Sequence, residues 1–169
     1  MATRAVAFAV FYDGHYPSVC RAVALALRDQ ELAEESAQEA FTRAYVYWRR
    51  VSRMDRPAGW VYVVAMRIAF RRRRGEPDAA VLADDDGAVG ADLADGVVDR
   101  ESLRDAIAQL PERQRVAIVL RYLADLPLAD VAAAMGCAVG TVKSTLNAAR
   151  ARLAIDLGED LEQVEHHAD

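Results

Sequence analysis

The chain has 169 residues, of which 53% are hydrophobic, and a formal net charge of −5. This length suits one medium domain or two small ones with apolar cores. It contains no apolar run near the ~18 residues of a membrane span and no long hydrophobic stretch followed by a cleavage site, so we expect neither a transmembrane segment nor a signal peptide. Cys20 and Cys137 lie far apart in unlike contexts, which predicts unpaired thiols in a reducing cytoplasm.

The charge is distributed in alternating blocks along the chain. The net charge is +6 over residues 1–74, −8 over 75–99, +2 over 100–157 and −5 over 158–169. Two basic blocks separated by an acidic one indicate two modules that face nucleic acid, joined by a linker.

The first basic block has the periodicity of an all-helical domain. A first helix is expected to begin near Pro17, since proline is disfavoured inside a helix. A second helix follows from apolar residues at steps of three and four: Ala33, Ala37, Ala40, Phe41, Ala44, Tyr45 and Trp48. Its outer face carries Gln38, Glu39, Thr42 and Arg43. A third helix should begin at Pro57 and stop at Gly75.

The third helix has a core face and a basic stripe beside it. Val61, Ala65 and Ile68 form the expected core face. The stripe holds Trp60, Arg67, Arg71 and Arg74, and the preceding loop holds Arg53 and Arg56. Arginines contact phosphates and aromatic rings stack on unpaired bases, so this pattern suits single-stranded DNA. The alternative is that Trp60 belongs to the core and the arginines form a solvated helix end.

The acidic block GEPDAAVLADDDGAVGADLADGVVD contains four glycines and seven aspartates. It cannot bury enough apolar surface to offset the ordering of its backbone, so we expect a weakly structured linker. It is either a plain solvated tether or an acidic segment that occupies a basic channel on a partner.

The second basic block predicts a helix-turn-helix. The segment from Leu110 to Leu157 carries the pattern. Pro111 and Pro127 mark helix starts, and Gly136 ends a helix in the left-handed conformation. The residues CAVG that follow form the turn. On the last helix Val142, Leu146, Ala149 and Leu153 share one face. Small polar residues lie opposite, flanked by Lys143 and Arg150, as suits a major-groove recognition helix. The alternative is an ordinary three-helix bundle with a solvated outer face.

No catalytic constellation is evident, and we expect no enzyme activity, cofactor or metal site. His15 stands alone, His166 and His167 lie in an acidic tail, and Asp84–Asp86 form an acidic run typical of a solvated segment. No glycine-rich phosphate loop follows a strand pattern.

Several strings in this order resemble the extracytoplasmic-function sigma factors of bacteria, the small sigma factors with regions two and four. AEESAQEAFTRAYVYW resembles their polymerase-binding helix, and PAGWVYVVAMRIAFRRRR resembles their helix at the melted minus-ten element. LPERQR and GCAVGTVKS resemble their minus-thirty-five module. The alanine and arginine content is similar to that of actinobacterial members. The match covers nearly the whole chain.

The resemblance implies an all-α fold of two helical domains: region two at 1–75, an acidic linker at 76–100, region four at 101–158 and an acidic tail at 159–169. It implies a cytoplasmic promoter-specificity subunit whose partners are promoter DNA, the clamp helices and flap of core RNA polymerase, and an anti-sigma factor. It assigns polymerase binding to Gln38, Glu39, Thr42 and Arg43. It assigns minus-ten DNA to Arg53, Met54, Trp60, Arg67 and Arg71, with a flipped base held by residues 52–55. It assigns minus-thirty-five DNA to Thr141, Lys143, Ser144, Asn147 and Arg150.

Departures from the family's common pattern include two positions in each of the two helices expected to contact DNA. The family commonly has Asn and Asp at the positions of Arg67 and Arg71, and often Arg at those of Thr145 and Ala148. We therefore expect a more basic third helix and a recognition helix that binds phosphates less strongly. The competing hypothesis is a stand-alone helix-turn-helix regulator that binds duplex DNA without polymerase.

Overall fold

The computed structural model describes residues 2–77 and 100–157, and each element within these ranges is helical. The first range holds α1 (Ala2–Leu27), α2 (Gln30–Val46), α3 (Trp48–Val51) and α4 (Pro57–Arg73). The second holds α5 (Arg100–Gln109), α6 (Glu112–Ile118), a π-helical segment (Val119–Leu123), α7 (Leu128–Met135) and α8 (Val139–Leu157). The all-α prediction is confirmed. Most of the expected linker and all of the expected acidic tail lie outside the described residues.

The start predicted for the first helix near Pro17 is wrong. α1 begins at Ala2 and runs through Pro17, which is exposed on the helix surface. Its missing N–H therefore removes one backbone hydrogen bond on the solvent side without creating a buried unpaired group. The N-terminal half is held by aromatic packing: the ring of Phe8 lies 5.3 Å from that of Trp48, and the ring of Phe11 lies 5.9 Å from that of Phe41.

The second predicted helix is divided into two in the structure. Asp29 caps the start of α2, where its carboxylate accepts a hydrogen bond from the N–H of Leu32 at 2.9 Å. The chain leaves α2 at Tyr47, so Trp48 belongs to the short α3 rather than to α2. Phe41 and Trp48 are both buried against α1.

The bounds predicted for the third helix are confirmed. α4 begins at Pro57, and Gly75 lies two residues beyond its end with φ of +67°. Val61, Ala65 and Ile68 are buried, as expected. The other sides of α4 are buried too, through Trp60, Tyr62, Val63 and Met66, so this helix is covered nearly all round.

The helix-turn-helix is confirmed, with changes at its edges. Gly136 ends α7 with φ of +64° as predicted. Pro111 and Pro127 each lie one residue before their helix rather than inside it. The predicted turn at residues 137–140 is too long by two residues, because α8 already begins at Val139. Helix α5 and the π-helical segment were not predicted.

The N-terminal module (residues 2–75) and the C-terminal module (residues 100–157) pack against each other. α4 lies against α7, and α1 lies against α6 and the π-helical segment. The buried hydrophobic residues of both modules belong to one core cluster. Arg115 of α6 is buried at the junction, where its Nε donates to the carbonyl of Ala26 in α1 at 2.7 Å.

Candidate nucleic-acid interface

α8 presents a polar face outward on the C-terminal module. Its inner face, formed by Val142, Leu146, Ala149 and Leu153, is buried as predicted. Of the residues predicted to contact the minus-thirty-five element, Thr141, Lys143, Ser144 and Asn147 are exposed, and Arg150 is half-buried. The structure therefore brings all five predicted residues together on the accessible side of one helix.

Arg150 is held in place by two neighbours. Its Nη1 donates to the Tyr122 hydroxyl oxygen at 2.7 Å, and its Nη2 donates to Oδ1 of Asn147. A guanidinium fixed in this way loses less side-chain freedom when it binds DNA. Tyr122 was missed by sequence reasoning, because it lies in the π-helical segment and its spacing gave no sign that it meets α8.

The hydroxyl groups of Ser144 and Thr145, near the start of α8, are engaged within the helix. Ser144 Oγ and Thr145 Oγ1 both donate to the carbonyl of Thr141, at 3.0 and 2.7 Å. Each hydroxyl keeps acceptor capacity toward solvent. They therefore suit contacts with base donors or with water more than direct donation to phosphate.

A cavity of about 500 Å³ opens beside this face. Its lining includes Thr145 and Ala148 of α8 and Arg113 from the first turn of α6. Arg113 is exposed, and sequence reasoning did not select it. Its charge lies where the smaller side chains of α8 leave room.

The four residues predicted to bind polymerase share the exposed side of α2. Thr42 Oγ1 donates to the carbonyl of Gln38 at 2.8 Å, and Arg43 Nε donates to Glu39 Oε1 at 2.9 Å. Gln38 and Thr42 are exposed, while Glu39 and Arg43 are half-buried. The result is a polar surface that the other described helices leave accessible.

The residues predicted to contact minus-ten DNA are divided between two environments. Arg53 is exposed and Met54 is half-buried on the turn between α3 and α4. Trp60 is 9% exposed and belongs to the core. Arg67 is half-buried, and its Nε donates to the carbonyl of Ala133 in α7 at 3.0 Å. Arg71, one turn further along α4, is half-buried as well.

A basic cavity of about 330 Å³ adjoins the turn between α3 and α4. It is lined by Arg4, Trp48, Arg49, Ser52 and Arg53. Arg4 and Arg49 were not selected from the sequence, because α1 was expected to start after Arg4 and Arg49 lies in a short helix. Positive charge beside an indole ring is chemistry that suits single-stranded nucleic acid.

Neither a metal site nor a membrane span is found in the parts of the chain that the structure describes. No group of three His, Cys, Asp or Glu side chains is placed to hold a metal ion there. None of the described helices is long and apolar enough to cross a membrane.

Comparison with known proteins identifies the family. The family model for sigma-70 region 4 matches residues 100–153. The chain is 32% identical to the ECF RNA polymerase sigma factor SigK of Mycobacterium ulcerans, with 83% of this chain and 80% of that protein covered. It is 31% identical to the ECF RNA polymerase sigma factor SigW of Bacillus subtilis, with 72% and 73% covered. The chain belongs to the extracytoplasmic-function sigma factors.

As a sigma factor, the protein directs core RNA polymerase to specific promoters and assists their opening in transcription initiation. It is also 35% identical to the RNA polymerase sigma-H factor of Pseudomonas aeruginosa, over 77% of this chain and 74% of that protein. These relatives favour the sigma factor over a stand-alone regulator. The fold is similar to that of the sigma factor RpoE of Bartonella quintana, solved in complex with the anti-sigma factor NepR. That match has a TM-score of 0.64 and 22% identity, and covers 90% of this chain and 98% of that one.

Proposed function

We propose that α8 recognises the minus-thirty-five element through Thr141, Lys143, Ser144, Asn147 and Arg150. The observation that carries this assignment is the outward polar face of α8 with Arg150 held by Tyr122 and Asn147. Lys143 serves as a phosphate contact, and Asn147 and Arg150 face base edges. The protein acts as a non-catalytic specificity subunit in the cytoplasm, with region two at 1–75 and region four at 101–158.

The test is run-off transcription from fragmented genomic DNA with bacterial core polymerase. Wild-type chain should give promoter-dependent transcripts whose start sites share an upstream element. Asn147→Ala should relax the sequence preference in that element, with a loss of about 1–3 kcal/mol of discrimination at one base pair. Arg152→Ala, an exposed arginine of α8 outside the proposed set, is the control. An unchanged preference in Asn147→Ala would contradict the assignment.

The exposed face of α2 is proposed to bind the clamp helices of the polymerase largest subunit, with Gln38, Glu39, Thr42 and Arg43 in contact. Thr42→Trp should block this surface without unfolding the helix, since residue 42 is exposed. Glu31→Trp is the matched control at an exposed position of the same helix. We expect Thr42→Trp to lose core polymerase in co-sedimentation while Glu31→Trp retains it. Equal retention would remove α2 from the polymerase contact.

The turn before α4 is proposed to hold a flipped base of the melted minus-ten element. Residues 52–55 supply the turn, with Arg53 and Met54 beside the base, and Arg4 and Arg49 complete the basic wall of the adjoining cavity. Flipping costs a few kcal/mol of unstacking, which arginine contacts and stacking must offset. Arg67 and Arg71 contact the strand as it continues along α4, while Trp60, which is part of the core, has no access to the strand in this conformation.

Arg113 is proposed to replace part of the positive charge missing at Thr145 and Ala148, because it lines the same cavity beside α8. Arg113→Ala should weaken binding to duplex DNA about equally across sequences and reduce the slope of log affinity against log salt by about one. Arg104→Ala, an exposed arginine of α5, should leave the slope unchanged. Identical slopes for the two variants would exclude the phosphate contact.

An anti-sigma factor is proposed to regulate the protein, since the structural relative RpoE was solved in complex with NepR. Its binding would cover the α2 surface or the helix-turn-helix. Affinity purification from the native host should recover a protein that suppresses run-off transcription, and recovery of core polymerase with no such protein would contradict the proposal.

A further inference from the structure

The outward face of α8 has two chemically different sides. One side carries Lys143, Asn147 and Arg150, whose ammonium, amide and guanidinium groups are hydrogen-bond donors. Oδ1 of Asn147 accepts a hydrogen bond from Arg150, so the N–H groups of this amide remain to donate. This side therefore suits the acceptor atoms of bases and phosphates.

The other side carries Ser144, Thr145 and Ala148, which line one cavity together. The hydroxyls of Ser144 and Thr145 both donate their hydrogens to the carbonyl of Thr141, at 3.0 and 2.7 Å. Each hydroxyl therefore offers DNA an oxygen acceptor but no hydrogen. Ala148 is exposed and offers only a methyl group. These three side chains combine oxygen acceptors with an apolar contact, which does not suit the acceptor atoms of guanine.

The major groove contains a complement to this combination. Thymine carries a methyl group at C5, which is the apolar group that base pairs present there, and adenine carries an amino donor. A T·A pair presents both groups, whereas a C·G pair presents an amino donor without a methyl group. A thymine methyl group can approach Ala148 closely, because alanine has no side-chain atom beyond Cβ. Among the four base pairs, T·A therefore fits this side of α8 best.

We propose that Ala148 is a specificity-determining residue that selects a T·A pair through contact between its Cβ and the thymine methyl group. Ser144 Oγ, one turn before Ala148, accepts a hydrogen bond from the adenine amino group. Arg113 lines the same cavity from α6 and keeps its proposed contact with phosphate. This inference rests on the proposed assignment of α8 to the minus-thirty-five element.

The first step of the test identifies that element with the complete complex. The wild-type chain bound to bacterial core polymerase selects from random duplexes long enough to hold a whole promoter, and sequencing gives the enriched upstream element. We expect at least one T·A pair in it. Synthetic duplexes then carry uracil in place of each thymine of this element in turn. Each replacement removes one methyl group and leaves base pairing unchanged.

The wild-type complex should bind one of the uracil duplexes about fourfold more weakly than the thymine duplex, since burial of one methyl-sized group is worth about that factor. Ala148→Gly should bind the two duplexes equally. Ala154→Gly, which makes the same substitution in α8 at a half-buried position outside the cavity, should keep the wild-type ratio. Equal binding of thymine and uracil at every position by wild type, or an unchanged ratio in Ala148→Gly, would overturn the proposal.

A second variant replaces the methyl group with a donor. Ala148→Arg should prefer G·C to T·A at the same position by about tenfold, because a guanidinium donates to O6 and N7 of guanine. Ala151→Arg adds the same charge at an exposed position of α8 about one turn further along, and it should retain T·A. A preference for T·A that survives in Ala148→Arg would show that residue 148 does not meet this base pair, and the proposal would fall.

The selection also separates this inference from the proposed function. An enriched upstream element without dependence on a thymine methyl group rejects the role of Ala148 and leaves the assignment of α8 intact. Promoter-dependent transcription by a wild-type complex that enriches no upstream element rejects the assignment of α8, and the base preference with it.

Discussion

Arg115 joins the ends of two helices from different modules. Its Nε donates to the carbonyl of Ala26 near the end of α1, and its Nη1 donates to the carbonyl of Leu110 just after α5 at 2.8 Å. Carbonyls at helix C-termini lack intrahelical partners and carry partial negative charge, so a cation is favourable there. Burial lowers the pKa of the Arg115 guanidinium, but an arginine stays charged in proteins, so these bonds offset its loss of hydration.

Arg115→Met should lower the free energy of unfolding by about 2–3 kcal/mol, because it leaves two buried carbonyls without their charged donor. Urea denaturation followed by circular dichroism measures the change. Arg104→Met, at an exposed position of α5, should stay within about 0.5 kcal/mol of wild type. Equal urea midpoints for the two variants would show that water satisfies the carbonyls of Ala26 and Leu110 as well as the guanidinium does.

Stability should fall in alkaline solution through Tyr16. Burial and a hydrogen bond to the Cys20 thiol raise the pKa of its phenol from 10.0 to about 12. The unfolded chain therefore loses this proton first, and the free energy of unfolding declines as the pH rises from about 10 to about 12. Tyr16→Phe should show a shallower decline over this range than Tyr47→Phe, whose residue is exposed. Parallel pH profiles of urea midpoints for the two variants would contradict this.

At the scale of elements, α1 is fixed by its partners rather than by its own sequence. Proline inside a helix is strongly unfavourable, yet α1 continues past Pro17 because Phe8, Phe11 and Tyr12 pack on α2 and α3. The aromatic contacts supply the stabilisation that the missing hydrogen bond removes.

Pro17→Ala should raise the free energy of unfolding by about 2 kcal/mol, because it restores a backbone donor at an exposed helix position. Gly14→Ala, whose new Cβ would meet nothing within 4 Å, should gain about 1 kcal/mol through helix propensity. Thermal unfolding of both variants measures the difference. Destabilisation by Pro17→Ala would mean that the aromatic packing requires the local bend of a proline.

The sequence correctly predicted those helix ends that depend on the backbone of a single proline or glycine. Pro57, Gly75 and Gly136 mark helix ends correctly, because proline at a helix start and glycine with positive φ at a helix end act locally. The extent of α1 could not be predicted, since it depends on rings of α2 and α3. The sequence predicted which residues of α8 share the outward face. It could not predict that Tyr122 bonds to Arg150, because Tyr122 lies in a π-helical turn whose direction no periodicity indicates.

At the scale of the whole molecule, the two modules share a core. Buried residues from α1 to α8 form one hydrophobic cluster, so the modules support each other. A signal for this packing was present in α4, whose apolar residues surround the helix instead of forming one stripe, as is typical of a buried helix. The pattern did not indicate that α7 covers α4, because the fit between two surfaces far apart in the chain produces no periodicity in the sequence.

The free chain should therefore unfold in one cooperative transition. Tryptophan fluorescence reports on the N-terminal module, which holds Trp48 and Trp60, while circular dichroism at 222 nm reports on all helices. The two urea curves of wild type should coincide. Arg73 pairs with Glu112 and Arg56 with Asp125 between the modules. In Glu112→Lys/Asp125→Lys, which replaces these attractions with repulsion, the curves should separate, since each module then unfolds with less support from the other. Coincident curves in this variant would show that the apolar contact holds without the ion pairs.

In the π-helical segment Val119–Leu123, the number of residues matters for the structure as much as their types do. A π-helical turn contains an additional residue, which is equivalent to a one-residue insertion into a straight α-helix. Removal of that residue would restore α-helical spacing within the segment and move Tyr122 around the helix axis, while the flanking helix keeps its direction. Tyr122 would then leave Arg150 without its hydroxyl partner. A relative with one residue fewer here should recognise a different upstream element even if every residue of its recognition helix were the same.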